Sequence, residues 1–331
     1  MRRREFLKVL GGTALAWPVY ASAQQPGRAR SIGVLMGYAE SDPEGQAFVA
    51  ALREGLQRLG WTEGRNFRID FRWARASDVD SMQRFAKELV ALQPDLIVSN
   101  NTPTTAALLQ QTHTIPIIFV TVADPIGSGF VANLARPGGN ATGFVTTEAS
   151  LGGKWAELLK EIAPRVARVA FLFNPTTATY ADYYLNPLKA VAPSLPLEVI
   201  SAPVRETSEL ESVVTAQSRE PNGGLIVMPD TFMIAHRAEI VTLAARYRLP
   251  AVYPYRYFTE LGGLLSYGDD LTDNFRRAPT YVDRILNGTK PSDLPVQAPV
   301  KFDLVINLKA AKALGLDVPL HLQQIADEVI E

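Results

Sequence analysis

The chain has 331 residues, no cysteine, 47% hydrophobic and 20% charged side chains, and a formal net charge of −1. That length suits two lobes rather than one ordinary core, and the composition is globular, not fibrous or disordered. The missing cysteines exclude disulfides, thiolate metal sites and cysteine nucleophiles. A near-neutral chain lacks the basic face that nucleic acid requires, so no nucleic-acid partner is expected.

The N-terminus carries an address. Arg3-Arg4 followed by Glu5-Phe6-Leu7-Lys8 resembles the twin-arginine export motif R-R-x-F-L-K, and the apolar run Val9–Tyr20 leads to a small-residue cleavage site, Ala21-Ser22-Ala23. The run is shorter than the roughly 20 residues that cross a bilayer. Residues 1–23 therefore read as a removable signal, not an anchor, and imply export after folding into the periplasm of a Gram-negative bacterium. No integral membrane segment is expected once it is removed. Gln24–Arg30 reads as a short polar linker.

From Ser31 short apolar runs alternate with longer amphipathic ones. Ile32–Met36 reads as a buried strand. Glu44–Leu59 reads as a helix, with Phe48, Leu52, Leu56 and Leu59 at helical spacing. Phe67–Trp73 alternates as a half-exposed strand does. Ser77–Leu92 is predicted helical; Asp95–Ser99, Ile115–Val122 and Ala141–Val145 are predicted strands. In the second half, strands are expected at Val166–Phe173, Leu197–Ile200, Gly224–Met228, Ala251–Tyr253 and Gly263–Tyr267. Helices are expected at Leu151–Ile162, Ala178–Ala192, Thr207–Arg219, Ala235–Arg246 and Asn274–Leu286. The tail Val300–Leu316 adds one strand and one helix.

Apolar strands alternating with helices predict an α/β fold with parallel sheets covered on both faces. Some eleven strands without an eightfold rhythm favour two doubly wound lobes over a barrel. The expected division is a first lobe over 31–147 with a C-terminal return over roughly 271–331, and a second lobe over 148–270. A crossover is expected near Thr146–Gly153 and another near Tyr267–Thr272.

Gly127–Ala132 (GSGFVA) matches the loose pattern of a dinucleotide-binding turn. The glycines, however, follow Asp124-Pro125-Ile126 instead of the strand itself, and no phosphate-binding lysine or P-loop accompanies them. They read better as local punctuation, with Ser128 capping a short helix over Gly129–Ala135. No nucleotide and no other cofactor is expected. His113, His236 and His321 lack metal spacing, no G-x-S-x-G elbow occurs, and Asp269-Asp270 reads as a helix cap. No catalytic set is visible.

Ligands of open α/β sheets bind outside the carboxyl ends of the strands. The candidates in the loops there are Tyr38 after the first strand and Asn101, Thr102, Thr104 and Thr105 after the third. Asp124 follows the fourth. The second lobe offers Asn174, with the Thr176–Tyr180 segment after it, and Asp230. Tyr253, Tyr255 and Tyr257 form an alternating aromatic run of which Tyr253 is taken as the binding candidate, and Tyr267 is expected to mark cleft wall and crossover together. Thr102, Asp124 and Asp230 can equally serve as ordinary helix or turn caps.

The order Ile115–Phe144 (IPIIFVTVADPIGSGFVANLARPGGNATGF) is similar to the signature of the ABC-transporter substrate-binding family that includes tryptophan-binding proteins. Asp95–Thr105, Asn174-Pro175 and Phe302–Leu316 also resemble its pattern, and the likeness covers Ser31–Asp317. At Asn100-Asn101 the chain departs from the Gly or Ala that members often carry. The resemblance implies the type I periplasmic-binding-protein fold and capture of a small molecule in an inter-lobe cleft by hinge closure. It also implies delivery to an ABC permease and ATPase on separate chains. The ligand it implies is an amino acid, aromatic or branched, with its carboxylate at the Thr102–Thr105 helix start and its ammonium at Asp124 or Asp230. The alternative is a periplasmic sensor presenting its bound form to a membrane receptor.

Overall fold

The computed structural model describes residues 29–75, 78–146 and 148–331. The signal, most of the linker, and Ser77 at the expected start of the second helix lie outside the described residues. In the first half β1 (Arg30–Met36), α1 (Pro43–Arg58), β2 (Phe67–Trp73), α2 (Val79–Ala91), β3 (Leu96–Asn100), α3 (Thr102–Gln111), β4 (Ile117–Val122) and β5 (Ala141–Val145) follow in order. Their strands form a parallel five-stranded sheet, β2-β1-β3-β4-β5. Strands β3 and β4 are buried along their whole length, as apolar strands covered on both faces must be. At the sheet edge β2 buries Phe67 and leaves its other side chains partly exposed.

The second half runs α4 (Leu151–Ile162), β6 (Arg168–Phe173), α5 (Ala181–Val191), β7 (Glu198–Pro203), α6 (Thr207–Arg219), β8 (Gly223–Val227), α7 (Thr231–Ala235), α8 (Arg237–Arg246), β9 (Ala251–Tyr253), α9 (Arg256–Glu260) and β10 (Leu265–Asp269). Then come α10 (Leu271–Leu286), β11 (Phe302–Asn307), α11 (Leu308–Ala313), α12 (Leu320–Ile325) and β12 (Glu328–Ile330). Seven strands make the second sheet, in the order β12-β11-β10-β9-β8-β6-β7. All its pairs are parallel except β10 with β11.

This pairing corrects one expectation. Helix α10 does return to the first lobe: Phe275 stacks on Phe48 of α1 at 4.9 Å, and Thr142 of β5 donates to the Leu294 carbonyl. The segment from Phe302 does not return, because β11 and β12 extend the second sheet. The chain thus passes between the sheets three times, after β5, after β10 and before β11. The last two passes lie side by side, with Asp270 N–H donating to the Lys301 carbonyl and Lys301 Nζ 3.0 Å from Asp270 Oδ2.

The short helix expected over Gly129–Ala135 is also absent. Asp124 and Pro125 carbonyls collect the N–H groups of Ser128, Phe130 and Val131 into successive turns. Gly129 then takes φ +73°, which breaks any helical continuation.

Candidate functional site

The first wall of the site is built where β1, β3 and β4 end. Asn100 ties them together, accepting from Gly37 N–H and donating to Thr121 Oγ1 at 3.0 Å. Three non-glycine residues with positive φ sit at these ends: Asn101 at +73°, Thr121 at +63° and Asp124 at +40°. For a β-branched threonine that is a costly conformation, of the kind that concentrates at binding sites. Thr121 is the residue that bulges between the Val120 and Val122 pairings of β4 with β5.

Asn101 caps α3 by accepting from Thr104 N–H. The hydroxyls of Thr104 and Thr105 are buried and already donate to main-chain carbonyls of Asn100 and Asn101. Thr102 Oγ1 accepts from Ala123 N–H at 3.1 Å, locking the α3 start to the end of β4. Asp124 is only half-buried. Its Oδ1 accepts from Gly127 N–H at 2.8 Å, and its Oδ2 has no partner among the described residues.

The second wall centres on Asp230, which is fully buried at the end of β8. Its carboxylate accepts from Asn174 N–H at 2.6 Å, Thr177 Oγ1 at 2.5 Å and Phe232 N–H at 3.0 Å. Burial pushes its pKa up to about 6 against the pull of those three donors. Asn174 turns its own loop by accepting from Thr176 N–H and donates to the Arg205 carbonyl. Tyr180, the next aromatic in that loop, donates to the Pro229 carbonyl at 3.0 Å.

The two walls meet. The Thr102 side chain of the first lobe lies close to the Tyr180 hydroxyl of the second. The Tyr38 hydroxyl lies beside that of Tyr257, whose oxygen is buried without a well-formed hydrogen bond. Asp42 pairs with Arg237 at 2.9 Å. Burial raises the Tyr183 pKa against a backbone hydrogen bond at Ala149, and the Asp124 carboxylate facing it adds to the rise. At the crossovers Thr146 Oγ1 is bonded to Tyr255 Oη at 3.1 Å and Asp269 Oδ1 at 3.0 Å, and Asn274 donates to Asp269 Oδ2. Burial raises the Asp269 pKa to about 7.

Of the residues singled out from sequence, Tyr38, Asn101, Thr102, Asp124, Asn174 and Asp230 stand at these facing strand ends. Thr104 and Thr105 stand one turn behind, spent on their own helix. Tyr253 is a step removed: its ring stacks on Phe258 at 5.1 Å, and Phe258 stacks on Tyr257. Tyr267 packs on Phe302 and borders a depression with α4 and α5 on the flank of the second lobe. Sequence reasoning missed Tyr183, Asp42 and Arg237. Tyr183 was visible in the aromatic cluster just past Asn174-Pro175; Asp42 and Arg237 give no signal until the lobes are set face to face.

Two parallel-sheet lobes joined by three crossovers, with polar strand ends facing one another, define a two-lobed α/β binding protein of the type I periplasmic class. Residues 39–330 match the family model described as ABC transporter substrate binding protein, and the chain belongs to that family. A tyrosine-binding protein of Clostridioides difficile (strain R20291) is 26% identical over 87% of this chain and 81% of its own length. A Streptococcus pneumoniae domain solved in complex with L-Trp is 28% identical, with a TM-score of 0.84 over 92% of this chain and 100% of that one. A conserved domain protein from Vibrio cholerae matches at the same identity and TM-score over 91% of this chain and 100% of its own.

Proposed function

We propose that this chain is the exported solute-binding component of an ABC importer that captures an aromatic L-amino acid between its lobes. Closing about the hinge, it would hand the ligand to a permease and an ATPase carried on separate chains. Contacts available only when the lobes meet shift the equilibrium toward the closed form. The observation that carries the ligand class is Asp124. It presents one carboxylate oxygen with no partner among the described residues at a strand end, with Tyr183 near it.

An ammonium group accepted by Asp124 leaves the ligand carboxylate for the Thr102 amide at the start of α3, where the helix dipole favours an anion. The side chain then falls among Tyr38, Tyr180 and Tyr183, which suits an aromatic ring. Asp230, with three donors already bound, supports the wall. The tyrosine-binding and L-Trp-bound relatives favour the same class. Export through a twin-arginine signal to the periplasm rests on Arg3-Arg4 and the small-residue cleavage site.

Thermal unfolding tests the reading, using protein refolded to strip bound ligand. L-tyrosine or L-tryptophan at about 100 times its dissociation constant should stabilise the chain by roughly 2.7 kcal/mol. A flat response to every amino acid, with a shift from a sugar or purine, would overturn the ligand class.

A further inference from the structure

Asp42 and Arg237 sit on opposite lobes, on elements that the proposed ligand pose does not use. Asp42 caps α1: its Oδ1 accepts from Glu44 N–H at 3.0 Å, leaving Oδ2 to face the second lobe. There it meets Arg237 Nη2 at 2.9 Å. Arg237 is pinned in turn, with Nη1 donating to the Ile234 carbonyl at 3.0 Å and its guanidinium 5.5 Å from the centre of the Tyr257 ring. Both side chains are 15% exposed, and among the described residues no other ion pair has both partners so covered. Most of the other pairs lie at the surface, where such contacts contribute little.

We propose that Asp42 and Arg237 form a latch between the lobes, stabilising the closed form without touching the ligand. The proposal rests on the hinge-closure reading above. Each half is held in place by its own helix, so little side-chain freedom is lost when the two meet. Opening returns both charges to water, whereas closing with one partner removed strands the other in a half-buried position. Glu44 of the first lobe and Glu260 of the second also lie near the pair, and Arg256 offsets them. Tyr38 and Tyr257 are the neutral neighbours, their ionisation disfavoured by burial.

The test uses D42N, which keeps a helix-capping oxygen but loses the charge, together with R237A and the double variant. Each single change should weaken binding of L-tyrosine and L-tryptophan about 3- to 10-fold, and the double variant should bind no worse than the weaker single. The unfolding midpoint of ligand-free D42N should stay near that of the parent. The chain has no cysteine, so spin labels at A50C and A245C, exposed positions on α1 and α8, report the lobe separation cleanly. D42N should shift that distance distribution toward longer values.

Unchanged affinity and distances in both single variants would overturn the latch, as would strictly additive losses in the double variant. If neither amino acid binds the parent while D42N still lengthens the label distance, the ligand reading fails and the latch stands.

Discussion

Asp230 and Asp269 hold their protons more tightly in the folded chain than an unfolded carboxylate does, with pKa values raised by burial to about 6 and about 7. The folded state therefore binds more protons than the unfolded state between about pH 4 and pH 7. Stability from these two groups falls as pH rises through that window and is greatest on its acid side. The unfolding midpoint of the ligand-free protein should accordingly rise when pH is lowered from about 8 to about 5.5. Asp269→Asn can still reach Thr146 and Asn274, and it should flatten the upper part of the profile. A parent profile that is flat or rises toward pH 8 would contradict this.

The same scale separates two aspartates that look alike in sequence. Asp124→Asn keeps an acceptor for Gly127 N–H, so folding should change little while affinity for L-tyrosine or L-tryptophan drops about 10- to 100-fold. Asp230→Asn has one oxygen for three donors and should lose about 1–3 kcal/mol of stability by denaturant titration. Both residues were legible as strand-end carboxylates. What divided their roles was the number of donors the fold had already delivered to each.

Among the elements, the contact of α1 with α10 holds a long-range part of the chain against the first lobe. Helix α10 buries Phe275, Ala278, Pro279 and Val282 against it, and Gly55 lies so close that a Cβ there would come within 2.5 Å of the Pro279 ring. Gly55→Ala should push the helices apart and cost about 1–3 kcal/mol despite its better helix propensity, read from denaturant midpoints. A neutral or stabilising result would mean that the pair tolerates wider spacing. Apart from α3, helices of ten residues or more were legible from their 3.6-residue apolar period, and the buried strands from their unbroken apolar runs. The five- and six-residue helices α7, α9 and α12 are too short to show a period, and the turns after Asp124 imitate one.

At the scale of the molecule the junction between the lobes is polar and crossed three times by the chain, stitched by Thr146, Tyr255, Asp269, Asn274 and the Asp270–Lys301 pair. Ligand binding should then appear as a rigid rotation of two lobes, not as reorganisation within either. Small-angle X-ray scattering should show a smaller radius of gyration when L-tryptophan is added to stripped protein, with far-ultraviolet circular dichroism unchanged. An unaltered radius at saturating ligand would count against closure.

The sequence by itself determined the α/β class, most strands and long helices, and the strand-end positions from which a cleft is built, because each depends on local periodicity and on capping chemistry. Only the tertiary structure decided which sheet the C-terminal strands join, since an apolar run such as Phe302–Asn307 pairs equally well at any open edge. It also decided that Tyr253 stacks within the core, and that Asp42 meets Arg237 across 195 positions of chain. Such contacts are settled by how the two lobes sit against each other, and no local pattern of residues encodes that.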